Sequence, residues 1–369
     1  MDSTIKLDHL YRITDETGIL QHSTYHIPDR HFGYTTDDNS RVLIVTLALS
    51  ELTSPNDLGT SKSLNSLAEI YLSFIHYAHT EAGYWRNFMD YTRHFIDREV
   101  SQDCYGRCML ACSYAISRSI PGISELAFEI FQRGLNYIDS LISPRAIAYT
   151  IISLIRYLEY SSQNDKFISG NVVKLSEKLV TLYKAHIDDG WYWFENILTY
   201  CNGILPHAML SSGNFMGRKK QIQIGIESLS FLLDNLMING YLEIIGNKGW
   251  WVKNGKKATY DQQCIDAASI LWACSEAYRI TGDNTFKEAA KLCWNWFWGE
   301  NSLNVSLYNE ETGGCYDGLT PYGANRNQGA ESLLAFLLSY LGIRQLEPDK
   351  SPQIEVSAKS NFELLPRGR

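Results

Sequence analysis

Asn325-Arg326-Asn327-Gln328-Gly329-Ala330-Glu331 leads straight into Ser332-Leu333-Leu334-Ala335-Phe336-Leu337-Leu338. The second stretch is apolar in nearly every direction at helical spacing, so a helix built from it has neighbours on more than one side. The first stretch crowds amide, guanidinium and carboxylate groups at the point where that helix begins. Such a helix belongs inside a larger helical assembly, with its polar chemistry gathered at its N-terminal end.

The same arrangement recurs upstream. Val42-Leu43-Ile44-Val45 follows the polar loop from Pro28 to Arg41, and Ile270-Leu271-Trp272-Ala273 follows Thr259-Tyr260-Asp261-Gln262-Gln263. Apolar periodicity predicts helices over about 38–51, 62–79, 103–119, 122–142, 144–161, 165–187, 197–212, 218–239, 261–281, 283–299 and 326–342. A short segment from Leu7 to Ile13 supplies a twelfth. Turn and cap residues separate them, among them Ser54-Pro55-Asn56-Asp57, Ser162-Gln163-Asn164-Asp165 and Thr281-Gly282-Asp283-Asn284. Every second helix is apolar nearly all round, whereas those between, such as 165–187 and 283–299, carry Lys and Glu along one face. An inner ring wrapped by an outer ring satisfies both patterns. The expected fold is therefore all-α, an (α/α)6 toroid of six helical hairpins in a single domain over 1–345. No repeat of fixed period supports an open solenoid instead. The tail over 346–369, with Pro348, Ser351, Pro352 and Ser357, reads as flexible. Asn254-Gly255 between Trp250-Trp251-Val252-Lys253 and Lys256-Lys257-Ala258-Thr259 predicts a small β-hairpin near 250–259.

Composition excludes several classes. A net charge of -8 and a pI near 5.6 over 369 residues argue against a nucleic-acid surface. No run approaches the roughly 18 apolar residues of a membrane span, and Met1 to Leu10 lacks the pattern of a secretory signal. The eight cysteines lie mostly within apolar helical patterns, which suits a reducing compartment, and the cytoplasm is the expected location. Cys104, Cys108 and Cys112 share one helix face, but no His joins them at zinc-site spacing. His22, His26 and His31 lack a firm ligand spacing, and no Gly-rich phosphate loop or nucleophile elbow appears. Neither metal nor cofactor is expected.

In a toroid of alternating helices the inner helices all run the same way, so their N-termini meet at one mouth. That would gather Asp38, Asp103, Glu195, Asp261 and Glu331 around one cavity, with Trp85, Trp191, Trp193, Trp250 and Trp251 on its rim. Carboxylates among Arg, Asn, Gln and aromatic faces suit sugar hydroxyls and pyranose rings. Glycosidic cleavage needs one protonated carboxyl and one ionised carboxyl. Asp38, Asp103, Glu195 and Asp261 are the catalytic candidates. Arg30, Tyr34, Asp37, Arg41, Arg107, Arg145, Trp193, Tyr200, Asn202, Gln262, Asn327, Gln328 and Glu331 are the candidates for holding the sugar. Structural readings stand beside these. Asp37, Asp38, Asp103 and Asp261 suit helix caps, Glu331 a pair with Arg326 or Arg30, Arg107 and Arg145 internal ion pairs, and the tryptophans a core. Capping needs one polar residue per helix, and most of these starts carry several.

The stretches His26-Ile27-Pro28-Asp29-Arg30, Gly33-Tyr34-Thr35-Thr36-Asp37-Asp38-Asn39-Ser40-Arg41, Trp193-Phe194-Glu195 with Leu198-Thr199-Tyr200, Tyr260-Asp261-Gln262-Gln263, and Asn327-Gln328-Gly329-Ala330-Glu331-Ser332 resemble a bacterial six-hairpin glycosidase-like family. The likeness runs to about residue 342. It implies an (α/α) toroid and carbohydrate chemistry. Similar domains accompany glycosyltransferase modules, so the resemblance also suggests a glycosyltransferase partner. The expected activity is glycoside hydrolysis of a short oligosaccharide by a carboxylate pair. A phosphorylase is a related alternative. A sugar epimerase or isomerase would call on His as proton carrier, and none of His26, His31 and His207 begins an inner helix. A non-catalytic carbohydrate-binding module is the alternative from another class.

Overall fold

A computed structural model describes residues 5–53, 58–161, 165–347 and 354–355. In chain order the helices are α1 (Asp8–Arg12), α2 (Thr36–Leu52), α3 (Leu58–Ala78), α4 (Gln102–Ile116), α5 (Ile123–Gly134), α6 (Pro144–Ser161), α7 (Lys166–His186), α8 (Ile204–Met216), α9 (Lys219–Leu236), α10 (Cys264–Thr281), α11 (Asn284–Trp296) and α12 (Ala330–Leu346). The even-numbered helices form the inner ring: each packs on the next, and α12 closes back on α2. The odd-numbered helices from α3 to α11 wrap it. The all-α (α/α)6 toroid expected from the sequence is what the chain forms.

Local chemistry explains the two layers. Inner helices bury even their polar residues, and small hydroxyls do so by bonding back along their own helix: Ser40 to Thr36 O (2.8 Å), Thr46 to Val42 O (2.9 Å) and Ser339 to Ala335 O (2.8 Å). Close approach needs small residues. A Cβ on Gly106 of α4 would sit 2.8 Å from Tyr149 Cβ and 2.9 Å from Ala146 O of α6. Outer helices bury one stripe, as Ile168, Val172, Leu175 and Leu179 do in α7, and begin at ordinary caps. Asp165 accepts from the amides of Phe167 and Ile168 at 2.9 and 3.0 Å.

The departures are local. α8 begins at Ile204, because Ile197–Leu198 is a strand and Cys201 turns through a left-handed φ of 50°. Residues 237–238 leave α9 to pair with Tyr241–Leu242. The Asn254-Gly255 turn forms and Ala258 N returns to Trp250 O at 2.9 Å, but the ladder of Trp251–Val252 runs to Ile197–Leu198. Of the expected tail, 348–353 and 356–369 lie outside the described residues. Ile354–Glu355 pairs in parallel with Ile5–Lys6, and Glu347 holds Lys291 at 3.0 Å. No described helix is long and apolar enough to cross a membrane. All eight cysteines are buried free thiols.

Candidate active site

Thr35 ends an extended segment and caps α2. Its hydroxyl accepts from Asp38 N at 3.1 Å and donates to Asp38 Oδ2 at 2.5 Å. Asp37 and Asp38 therefore lie inside the first turn, where the helix dipole favours negative charge, and neither carboxylate serves as the cap. One turn on, Arg41 donates from Nη1 to Asp38 Oδ1 (2.8 Å) and from Nη2 to Glu331 Oε2 of α12 (3.0 Å). Asp37 Oδ1 lies 3.0 Å from the same Nη2 but out of hydrogen-bond line, so it keeps an open acceptor. Arg107 of α4 bonds Asp37 Oδ2 and stacks over Tyr149. Two arginines and three carboxylates thus knit α2, α4 and α12 together at the mouth. The Asp38 carboxyl is pushed well above the ordinary carboxylate range by burial, against the pull of Arg41 and with repulsion from Asp37 and Glu331 adding.

In front of this cluster lies a cavity of about 420 Å³, lined by Asp37, Asp38, Arg41, Asp261, Asp317 and Glu331 together with His22, Asn87, Asn247, Asn325 and Phe88. Asp261 precedes α10 and does not cap it. Its Oδ2 is 3.1 Å from Lys248 Nζ, while its Oδ1 is buried without a partner. Asp317 reaches from a loop to cap α12, accepting Gly329 N at 2.7 Å and the Ser332 hydroxyl at 2.8 Å, and burial raises its pKa. Gln262 lines the cavity, but its amide is spent on structure, donating to Thr259 O (3.1 Å) and accepting from Trp296 Nε1 (3.3 Å). Phe88, 42% exposed, stands on one wall. Tyr322, 98% exposed, tips the Gly318–Thr320/Gly323–Asn325 hairpin on another.

The other candidate residues do not line this cavity. Asp103 accepts the Ser143 and Tyr200 hydroxyls, each at 2.7 Å. Arg145 lies over the Tyr200 ring and donates to Glu195 (2.9 Å), Thr199 (2.7 Å), Asn202 (3.3 Å) and Tyr200 O (2.6 Å). This second network ties the starts of α4 and α6 to the approach to α8. Asp103 and Glu195 do not line the 420 Å³ cavity. Arg107 and Arg145 are both internal ion-pair partners, and Glu331 pairs with Arg41 instead of Arg326 or Arg30. Arg30 lies outside on Tyr91 (2.9 Å). Tyr34 is core, its hydroxyl donating to Asp15 at 2.6 Å. Asn327 and Gln328 brace loops: Asn327 accepts Tyr25 N at 2.9 Å and Gln328 the Thr312 hydroxyl at 2.8 Å. The rim of tryptophans needs correction too. Trp85, Trp191 and Trp193 are buried, Trp85 bonding Ile75 O at 3.1 Å and Trp191 packing on Phe231 and Trp251.

Sequence reasoning missed Asp266, which sits inside the apolar run Cys264-Ile265-Asp266-Ala267 of α10. Its Oδ1 accepts Asn202 N and Nδ2, both at 3.1 Å, its Oδ2 has no partner, and burial pushes its pKa up to about 7. His22 and Asp317 were missed as well. The run from Glu311 to Gly318, turn-rich through Gly313, Gly314 and Gly318, is the sequence signal that could have pointed to Asp317.

No family model matches the chain, and no curated relative matches it. Solved structures do. A sugar epimerase from a ruminal bacterium is similar with a TM-score of 0.69 at 14% identity, over 90% of this chain and 94% of that one. The cellobiose 2-epimerase of Bacillus thermoamylovorans is similar with a TM-score of 0.68 at 13% identity, over 91% and 96%. An α-1,6-mannanase of Salegentibacter, solved as an inactive variant with two neighbouring aspartates changed to alanine and with α-1,6-mannotetrose bound, is similar with a TM-score of 0.61 at 13% identity, over 92% and 97%. The fold is the six-hairpin toroid these proteins share.

Proposed function

We propose that the acidic cavity at the mouth of the ring binds a short oligosaccharide and hydrolyses it, with Asp38 and Asp261 as the carboxyl pair. The observation that carries this reading is the unequal setting of two carboxyls on one cavity. Asp38 is buried, and burial raises its carboxyl above the ordinary range; Asp261 pairs with Lys248 and keeps one oxygen without a partner. Glycoside hydrolysis asks for that division, one carboxyl to protonate the leaving oxygen and another to activate water or attack the sugar carbon. Asn247 and the amide NH2 groups of Asn87 and Asn325, whose oxygens accept Asp37 N and Asn327 N, offer partners for hydroxyls, and Phe88 offers a face for a sugar ring. The inactive mannanase variant lacks two neighbouring aspartates, and Asp37 with Asp38 makes a neighbouring pair in this cavity.

The test is a panel of α- and β-linked oligosaccharides, including α-1,6-mannotetrose and cellobiose, incubated with and without phosphate. Asp38→Asn and Asp261→Asn should each lower turnover by about a hundredfold or more. Asp261→Asn should keep the wild-type melting temperature, whereas Asp38→Asn also removes a buried partner of Arg41 and is assayed on protein shown to be folded by circular dichroism. Wild-type turnover by both variants on a cleaved substrate would end the assignment, and cleavage only with phosphate would make the enzyme a phosphorylase. A second reading, sugar epimerase or isomerase, is favoured by one observation: His22 lines the same cavity, near enough to Asp317 to affect its charge. Solvent deuterium appearing at sugar C2, and lost in His22→Gln, would select it.

A further inference from the structure

Beyond the Arg41–Arg107 layer the axis of the ring opens a second time. A cavity of about 480 Å³ lies there, within the size range of small-molecule sites. All six inner helices supply its walls, through Ile44, Leu110, Ile152, Ile204, Trp272 and Leu338. Arg41 and Arg107 form its inner end. Exposed Glu159, Arg279 and Gln345 stand at the other end, where α6, α10 and α12 finish. Arg41 also lines the acidic cavity, so the two spaces lie on opposite sides of one charged layer.

The cations around this second space differ in one respect. Arg279 is bound to Glu276 at 2.7 and 2.8 Å, and Arg118, which lies over the Tyr114 ring, is bound to Glu51. Arg156 rests over the same Tyr114 ring at 4.5 Å. Among the described residues it donates no hydrogen bond and makes no close ion pair, although Glu159 and Glu51 are near enough to act on its charge, and it lines the cavity half-buried. A guanidinium stays charged and carries five donors in a planar fork. None of the Arg156 nitrogens is both buried and unpaired, so water reaches the fork from the opening, and a ligand carboxylate can take that water's place. Arg156 sits one turn inside exposed Glu159, while Ile152 and Tyr149, earlier on α6, line the deeper part.

We propose that this cavity binds a small amphipathic carboxylate, its apolar body along the ring axis and its carboxylate on the Arg156 fork near the opening. Glu159 and Glu276 at the same end oppose a dianionic phosphate. His207, on the α8 wall, is kept from protonation by burial and adds no second positive charge, which also favours a monoanion. The site does not depend on the carbohydrate reading.

Isothermal titration of the full chain with octanoate tests this, with octanol as the neutral counterpart. One saturable site for octanoate is expected, with octanol at least about tenfold weaker. Arg156→Met should lose octanoate affinity by about tenfold or more and melt close to the wild-type temperature, because no hydrogen bond or close ion pair leaves with the fork. Arg156→Lys, which keeps the charge and loses the fork, should fall between. Equal binding of octanol, absence of octanoate binding, or unchanged affinity in Arg156→Met would overturn the proposal. If Arg156→Met does not fold, the octanoate–octanol comparison and Arg156→Lys decide it.

Discussion

Asp266 is an acid that the ring has buried without full compensation: one oxygen is bonded to Asn202 and the other to nothing. Its pKa of about 7 in the folded chain exceeds the ordinary value near 3.9 expected when unfolded. Between those values the folded chain holds a proton that the unfolded chain has released. This group's contribution to stability is therefore fullest below about pH 4 and declines as pH rises towards 7. Each unit of difference corresponds to about 1.4 kcal/mol. Asp266→Asn keeps an oxygen for Asn202 and should flatten the fall of melting temperature across that window; an unchanged slope would contradict the burial argument. Single residues were the hardest level to read from the sequence. Asp38 and Asp261 were marked by their place at helix starts, but so were Asp103 and Glu195, and the side-chain directions that separate them are set by distant partners such as Tyr200 and Arg145. Asp266 lay hidden in an apolar run. Trp85, Trp191 and Trp193 misled because a large indole is buried wherever the core has room, and the exposed aromatic that lines the cavity is Phe88.

Helices were the most legible level. All-round apolar runs marked α2, α10 and α12 as inner, and one-sided Lys and Glu marked α7 and α11 as outer, because burial on several sides or on one leaves a direct trace in periodicity. The starts were less legible. α2 begins earlier than its Asp pair suggests because Thr35 takes the cap, and α8 begins later because Ile197–Leu198 finds a strand partner far along the chain. Asn254-Gly255 specifies a turn, but which ladder its flanks join depends on what the fold brings alongside. The contact of α4 with α6 depends on Gly106, whose added Cβ would meet Tyr149 Cβ at 2.8 Å. Gly106→Ala should destabilise by about 1–3 kcal/mol through overpacking, read as a lower denaturant midpoint with an unchanged slope. No loss would mean that α4 and α6 can separate freely.

For the whole molecule, the count of hairpins and the convergence of inner helix starts followed from alternation alone. The division of the axis into two spaces did not, because it depends on Arg41 and Arg107, from two helices, meeting at Asp37. The closing of the ring brings one more consequence. Ile5 runs beside Ile354 as a strand partner, so the polymer enters and leaves the doughnut through the same seam. Such a molecule has no obligatory first hairpin. A circular permutant that joins Glu355 to Ile5 by a short linker and opens at the left-handed, uncrowded Gly217 between α8 and α9 should give the same helical circular-dichroism spectrum and one cooperative melt. A permutant that cannot fold would mean that the order of assembly, and not the finished circle, decides whether this chain reaches its shape.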